Sequence, residues 1–263
     1  MSDYEVYHGD CFERLAALPD RSVDLILTDP PYGHRNNDGD LIHAWEAVFG
    51  GSPAREEARP IDNDGEEAND LVRRMFAEAA RVLKPGCCCC CCGGGGGPDP
   101  QFARWSLWMG EPLDFVQMIV WDKGPMGMGH RYRRSYEVVL IGKPKGGKMP
   151  WYDTSKKIEN VIRPGDYGIR KIIPSKSQHP TQKPVALFEH FIRLHTKPGD
   201  LVVDPFCGSG SSGVAAKKLG RRWIGCDTDE RWVKMARERL AATTPPLPGL
   251  EYDGGDADGE EIK

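Results

Sequence analysis

No apolar run in this chain reaches the length needed to cross a bilayer, and the N-terminus, M-S-D-Y-E, lacks a basic region followed by an apolar one. Neither a membrane span nor a secretory leader is expected, which points to a soluble, cytoplasmic protein. Cysteines spaced as a disulfide framework are missing too. Six of the nine are contiguous, Cys87 to Cys92, so a chain of 263 residues is not expected to rest on a disulfide framework. A strong charge of one sign is also lacking, the net being −4. That balance argues against a nucleic-acid binder only until the charges are placed. From Trp121 to His195 there are fifteen Lys/Arg against six Asp/Glu, whereas acids collect between Glu56 and Asp70 and after Leu250. The asymmetry, more than the sum, sets the kind of partner. The length suits one large α/β core.

What the chain does have is a strongly patterned stretch from Gly199 to Asp227. Leu201, Val202 and Val203 form a short apolar run that suits a buried parallel strand, closed by Asp204. Gly208, Ser209 and Gly210 make a turn of close backbone approach. Val214, Ala215, Ala216 and Leu219 then recur at helical spacing up to Gly220, and Trp223 to Cys226 is a second strand ending at Asp227. The turn offers N–H groups and a positive helix end to an anionic group, and Asp227 is placed to accept from ribose hydroxyls. Gly208, Gly210 and Gly213 also match G-x-G-x-x-G, so a nicotinamide or flavin cofactor is the competing reading. Asp204 before the turn and Asp-Pro-Phe across it add a carboxylate for an ammonium and a ring to stack on. S-adenosylmethionine, with adenine, ribose, ammonium and carboxylate, suits that set better than a pyrophosphate does.

Near the other end, Tyr4 to Tyr7 is a strand, Cys11 to Leu18 a short helix, and Val23 to Leu27 a second strand running into Asp29-Pro30-Pro31-Tyr32. The prolines fix the backbone and leave carbonyls without neighbouring N–H groups. Asp29 adds a carboxylate and Tyr32 a flat ring. Methylation of an exocyclic amine needs such a set, because the amine lone pair is delocalised into its ring. A carboxylate and a carbonyl that accept the two N–H bonds localise the lone pair, and transfer can then be one in-line displacement. A base in a duplex must first leave the stack, at a cost of a few kcal/mol, of which stacking on an aromatic returns about 1–3 kcal/mol.

With D-P-P-Y early and D-P-F-C-G-S-G late, the chain resembles the amino-group DNA methyltransferases (N6-adenine and N4-cytosine) of permuted order. A third landmark agrees: His179-Pro180-Thr181-Gln182-Lys183-Pro184, directly before a helix from Val185 to Leu194. The resemblance covers roughly residues 5–31, 81–86 and 120–240. It implies a Rossmann-like α/β fold with a seven-stranded methyltransferase sheet ending in an antiparallel hairpin. Its catalytic set is Asp29, Pro30, Pro31 and Tyr32. It implies S-adenosylmethionine as cofactor, with Asp10 at the adenine, Phe206 stacking near it, Asp227 holding the ribose, and Cys11 and Thr228 also binding the cofactor. His179, Thr181, Gln182 and Lys183 would line the methionine end, and Asp29, Asp204, Pro205, Gly208, Ser209, Gly210 and Ser211 the rest of that pocket. In the family D-P-P-Y goes mostly with adenine N6 and S-P-P-Y with cytosine N4, so adenine is expected. The implied partner is double-stranded DNA. Whether a second copy of the chain or a cognate restriction endonuclease joins it is left open.

The rest divides coarsely. Residues 1–243 form a single catalytic domain. Within it, residues 33–70 read as a flexible acidic insertion in which Leu41 to Phe49 is helical, and 122–177 as the basic, DNA-facing and target-reading region, with Trp151, Tyr152 and Tyr167 among its cations. Residues 244–263 read as a disordered acidic tail. Leu71, Met75, Ala79, Val82 and Leu83 trace a core-facing helix. Cys87 to Cys92 would then be a strand sending three thiols to each face as small apolar residues. One extended run cannot by itself converge on a metal, so no metal is expected without ligands from elsewhere. Gln101 to Met109 reads as a helix, Phe115 to Trp121 and Tyr136 to Ile141 as the closing strands, and the Arg131, Arg133, Arg134 loop between them as a phosphate contact. Asp229 caps a last helix whose Trp232, Val233, Ala236 and Leu240 face inward. The competing functions are an N4-cytosine enzyme, an RNA or small-molecule methyltransferase, a DNA-binding protein with a vestigial cofactor pocket, and a nicotinamide dehydrogenase.

Overall fold

The computed structural model describes residues 3–32, 67–93, 101–124, 135–170 and 182–246. Five strands, β1 (Tyr4–His8), β2 (Val23–Thr28), β3 (Leu83–Gly93), β7 (Leu201–Asp204) and β8 (Arg222–Asp227), run parallel in the order β1-β8-β7-β2-β3. The sheet continues through β5 (Tyr136–Pro144), β4 (Leu113–Asp122) and the two-residue β6 (Val161–Ile162). β5 is antiparallel to both of its neighbours, which is the hairpin closure expected from the sequence. β6 makes an eighth strand. It forms because Val120 donates to the Asn160 carbonyl (2.8 Å) and β-branched Ile162 is buried against the sheet.

Helices cover both faces. On one, α1 (Cys11–Ala16), α2 (Glu67–Val82) and α3 (Gln101–Gly110) bury Leu15, Phe76 and Trp105. On the other, α4 (Val185–His195), α5 (Ser211–Lys218) and α6 (Glu230–Ala242) bury Phe191, Ala215 and Leu240. β3 serves both cores: Cys87, Cys89 and Cys91 pack into the first, and Cys88, Cys90 and Cys92 into the second. Three small thiols per face follow from the pleat alone.

Several boundaries differ from the sequence reading, and two have a visible cause in the packing. The acidic insertion was expected to reach residue 70, but α2 already begins at Glu67. Ala68 is fully buried there, and the Asn69 side-chain oxygen accepts the Trp105 indole N–H at 3.0 Å, so the extra turn is fixed by packing onto α3. Residues 33–66, with the expected helix Leu41 to Phe49, lie outside the described residues. So does the tail beyond residue 246. The second is that β3 begins at Leu83, read from the sequence as part of the helix, and not at Cys87. Leu83 pairs at once with Val23, the next pair is Leu25–Cys88, and the intervening residues bulge. Gly86 makes that bulge possible, with φ +87° and the Lys148 carbonyl oxygen 2.6 Å from where a Cβ would stand.

This order brings the chain ends together. β1 pairs with β8 and β2 with β7, in the register Ile26–Val203. The carboxyl ends of β2 and β7, 176 residues apart in sequence, are tied by the Thr28 hydroxyl donating to Asp204 Oδ1 at 2.6 Å.

Candidate active site

A cavity of about 310 Å³ opens beyond the carboxyl ends of the parallel strands, where open α/β sheets hold ligands. β1 delivers Gly9, Asp10 and Cys11 to its wall, β2 delivers Asp29 to Tyr32, β7 delivers Asp204 to Ser209, and β8 delivers Asp227 and Thr228. Gln182 and Lys183 enter from the segment before α4, and Ser211 from the start of α5. The structure thus brings together every described residue expected at the site except Gly210. Gly210 stands behind the wall at φ +74°, where a Cβ would meet Ala236 Cβ at 2.8 Å. His179 and Thr181 lie outside the described residues.

Asp29 is engaged through both of its oxygens. Its Oδ2 accepts from Lys183 Nζ at 2.5 Å, and its Oδ1 from the Tyr32 hydroxyl at 2.6 Å. Burial pushes its carboxyl above the usual range, with Lys183 opposing that rise. Burial alone would lower Lys183, yet the Asp29 and Glu137 carboxylates outweigh it and hold the ammonium above its ordinary value. Glu137 Oε2 lies 3.3 Å from Lys183 Nζ, and Glu137 Oε1 accepts from Lys123 at 2.8 Å. Burial raises Glu137 as well, but the two lysines bring it below the ordinary range. A chain of alternating charge therefore runs Asp29, Lys183, Glu137, Lys123. The Tyr32 ring meets Trp105 edge-on at 6.2 Å, and Lys183 Nζ lies 5.2 Å from its centre.

The glycine turn is built otherwise than expected. Gly208 N–H donates to Asp227 Oδ2 (3.0 Å) and Gly210 N–H to the Cys207 carbonyl (2.8 Å), so these two amides serve the fold and not an anion. The same internal bonding weakens the pyrophosphate reading of G-x-G-x-x-G. Gly213 has its own reason: a Cβ there would sit 2.9 Å from the Trp223 ring, so it lets α5 pack closely on β8. Asp227 Oδ1 also accepts from Asp229 N–H at 2.8 Å, which orients the carboxylate at the crevice mouth. Asp10 caps α1 by accepting from Phe12 N–H at 2.8 Å.

Asp204 lines the wall, but its oxygens accept from Thr28, Ser212 and the Phe206 amide. Burial pushes it up to about 7. Its described bonds thus tie β2, β7 and α5 together. The two chemistry-bearing segments also touch directly, through the Ser209 hydroxyl and Gln182 Oε1 at 3.3 Å.

Several wall residues were not foreseen. Trp232, expected to face the core, lines the cavity instead, as do Leu71, Phe188 and Cys207. Glu137 has a signal in the sequence, an acid inside the apolar strand Y-E-V-V-L-I. Within the basic region, Trp151, Tyr152 and Tyr167 are exposed, and Tyr167, at φ +52°, stacks on His190 at 4.2 Å. Some of its cations are already paired, Lys143 with Asp114 and Arg163 with Glu159. Arg131, Arg133 and Arg134 lie outside the described residues.

A family model described as DNA methylase, N6_N4_Mtase, matches residues 23–238, which include all of the cavity's lining except Gly9, Asp10 and Cys11. The chain belongs to the N6/N4 DNA methylase family. It is a DNA methyltransferase of that S-adenosylmethionine-dependent family. Among curated relatives, the type II methyltransferase M2.DpnII of Streptococcus pneumoniae is 30% identical over 257 residues, which is 89% of this chain and 88% of its own. M.HinfI of Haemophilus influenzae is 28% identical over 281 residues, 94% of this chain and 70% of its own. Solved structures share the fold. TTHA0409 of Thermus thermophilus, complexed with S-adenosyl-L-methionine, superposes with a TM-score of 0.65 at 24% identity, covering 93% of this chain and 96% of its own. The cytosine-N4-specific PvuII DNA methyltransferase gives 0.68 at 20% identity, covering 91% and 87%. No helix among the described residues is long and apolar enough to cross a membrane.

Proposed function

We propose that this methylase transfers the methyl group of S-adenosylmethionine to the exocyclic N6 amine of a flipped-out adenine in double-stranded DNA. The observation that carries the reading is Asp29 standing in one cavity wall with Asp10, Phe206 and Asp227. The donor set fits the cofactor. Asp227 is a fixed carboxylate at the end of β8 suited to ribose hydroxyls, Phe206 is a half-buried ring for adenine, and Gln182 and Lys183 line the same crevice. When bound, the cofactor supplies an electrophilic methyl on a sulfonium.

The residues of the chain do the rest. Asp29 and the Pro30 carbonyl accept the two amine hydrogens and direct the lone pair into the crevice. Pro31 fixes the turn that presents that carbonyl. In the structure the Tyr32 hydroxyl and Lys183 hold the Asp29 oxygens, so the amine takes the place of one of these donors. Tyr32, released from Asp29, stacks the base. Lys183 keeps the carboxylate charged while water is excluded.

Adenine over cytosine rests on the D-P-P-Y form of the motif. The test is to digest DNA from an expressing host to nucleosides and identify the modified one. N6-methyl-2′-deoxyadenosine is expected, and N4-methyl-2′-deoxycytidine would replace the substrate while keeping the chemistry. Service beside a cognate restriction endonuclease is in keeping with the type II names of the relatives, and the neighbouring genes test it; sedimentation tests whether a second copy joins the chain.

A further inference from the structure

We propose that Cys88 and Cys90 on β3, with His195 at the end of α4, form a binding site for a zinc ion. The two Sγ atoms and one imidazole nitrogen all lie within 4.8 Å of one another, and all three residues are buried. Residues two apart on a strand share a face, which puts the sulfurs 3.3 Å apart. This is the convergence that one extended run cannot make alone: the third ligand arrives from a helix packed over that face.

The imidazole is held as metal-binding histidines are. His195 Nδ1 lies 3.1 Å from the Pro150 carbonyl, which can only accept, so Nδ1 carries the proton and Nε2 keeps its lone pair. The ring is further fixed edge-on to Trp151 at 5.6 Å, and Tyr152 N–H donates to the Leu194 carbonyl at 3.0 Å. A tetrahedral centre with bonds of about 2.3 Å separates two sulfurs by about 3.8 Å, within reach of small side-chain rotations here.

The choice of ion follows from charge and softness. Two thiolates and a neutral imidazole around a divalent cation make a centre of zero net charge. Surroundings such as Leu25, Trp121, Ile141 and Ile162 tolerate that better than a net anion. Hard cations prefer oxygen ligands, whereas sulfur and imidazole suit zinc. Binding displaces one proton from each thiol to solvent, and the ion gains two Zn–S bonds and one Zn–N bond. A second cavity of about 310 Å³ borders His195, with Gln117, Glu159 and Asn160 in its wall; neither cysteine lines it, so the ion would enter from the His195 side and a water would complete its coordination. None of the residues lining it lines the methyl-transfer crevice. The site would staple β3 to the helix that follows Lys183.

The test uses the full chain, stripped with a chelator and titrated with cobalt(II) as a spectroscopic stand-in, then with zinc. About one ion per chain is expected, with thiolate-to-cobalt charge-transfer bands, tetrahedral visible bands, release of protons, and two sulfurs and one imidazole by X-ray absorption. Cys88→Ala or His195→Gln should each weaken binding at least tenfold, by analogy with the ~10–100-fold cost of altering even an outer partner. Cys89→Ala, on the opposite face of the same strand, should leave binding unchanged. The absorption measurement on the unaltered chain decides the matter even if a variant does not fold. Absence of thiolate bands, a Cys88–Cys90 disulfide without metal, or bands that survive in both variants would overturn the assignment.

Discussion

Lys183 Nζ lies 2.5 Å from Asp29 Oδ2, joining two segments 154 residues apart at the point where the amine is to be held. The pair sets an ammonium against a carboxylate that burial drives toward its neutral form. Burial favours its neutral form, and the ammonium opposes this from one side while Glu137 and Lys123 fix the ammonium from the other.

Removing the cation should therefore show in the pH profile. Protonation of Asp29 weakens its hold on the amine, so kcat/KM falls as pH drops through the Asp29 value, which burial places above the ordinary carboxylate range. In Lys183→Met the lowering influence is gone and the acid limb should move to higher pH, with a rate loss at neutral pH of about tenfold or more. An unmoved acid limb would show that Lys183 does not tune this carboxylate.

Tyr32 has two separable parts. Tyr32→Phe removes the hydroxyl that occupies Asp29 Oδ1 and keeps the ring, so DNA affinity should change little. Tyr32→Ala also removes the stacking surface, worth about 1–3 kcal/mol, and should raise the apparent Kd for DNA by about 5–150-fold. Equal effects in the two variants, measured by fluorescence of a base analogue at the target, would deny the ring a stacking role.

Asp204 carries a stability signature of opposite sign to the usual carboxylate. Its folded value, about 7, lies above the ordinary 3.8, so the folded state binds more protons between those values and stability declines as pH rises across that window. Asp204→Asn cannot titrate. Its melting temperature relative to the unaltered protein should be lowest near pH 4 and improve toward pH 8. A constant difference across that range would mean that the Thr28 and Ser212 bonds keep the carboxylate charged.

Binding to DNA should weaken steeply with salt, because cations between residues 122 and 177 would displace counterions from phosphate. Lysines and arginines already paired with acids, such as Lys143 and Arg163, should contribute less to that slope than their exposed neighbours. A flat salt dependence would move the contact surface elsewhere.

Much of this site was legible in the chain because its motifs sit where strands stop. A short apolar run closed by an acid marks the carboxyl end of a parallel strand, and Asp29, Asp204 and Asp227 all stand there. The hexacysteine strand was legible too, since period-two alternation needs no knowledge of partners. What could not be read was tertiary partnership. Nothing near Glu137 in sequence shows that it faces Lys183, and nothing near His195 shows that two thiols lie under it. The amides of Gly208 and Gly210 looked available because their acceptors, Asp227 and Cys207, depend on how the turn closes. The start of α2 was misplaced because Ala68 and Asn69 are helical only by virtue of α3 beside them.

The central claim is that Asp29 orients the amine within the cofactor crevice, and single-turnover transfer of labelled methyl to DNA by Asp29→Ala, with S-adenosylmethionine affinity measured alongside, tests it most directly. The account predicts a loss in rate of at least about 10²-fold, as for other lost electrostatic stabilisers, with cofactor affinity changed by no more than a few-fold. Transfer at a rate indistinguishable from that of the unaltered protein would contradict it.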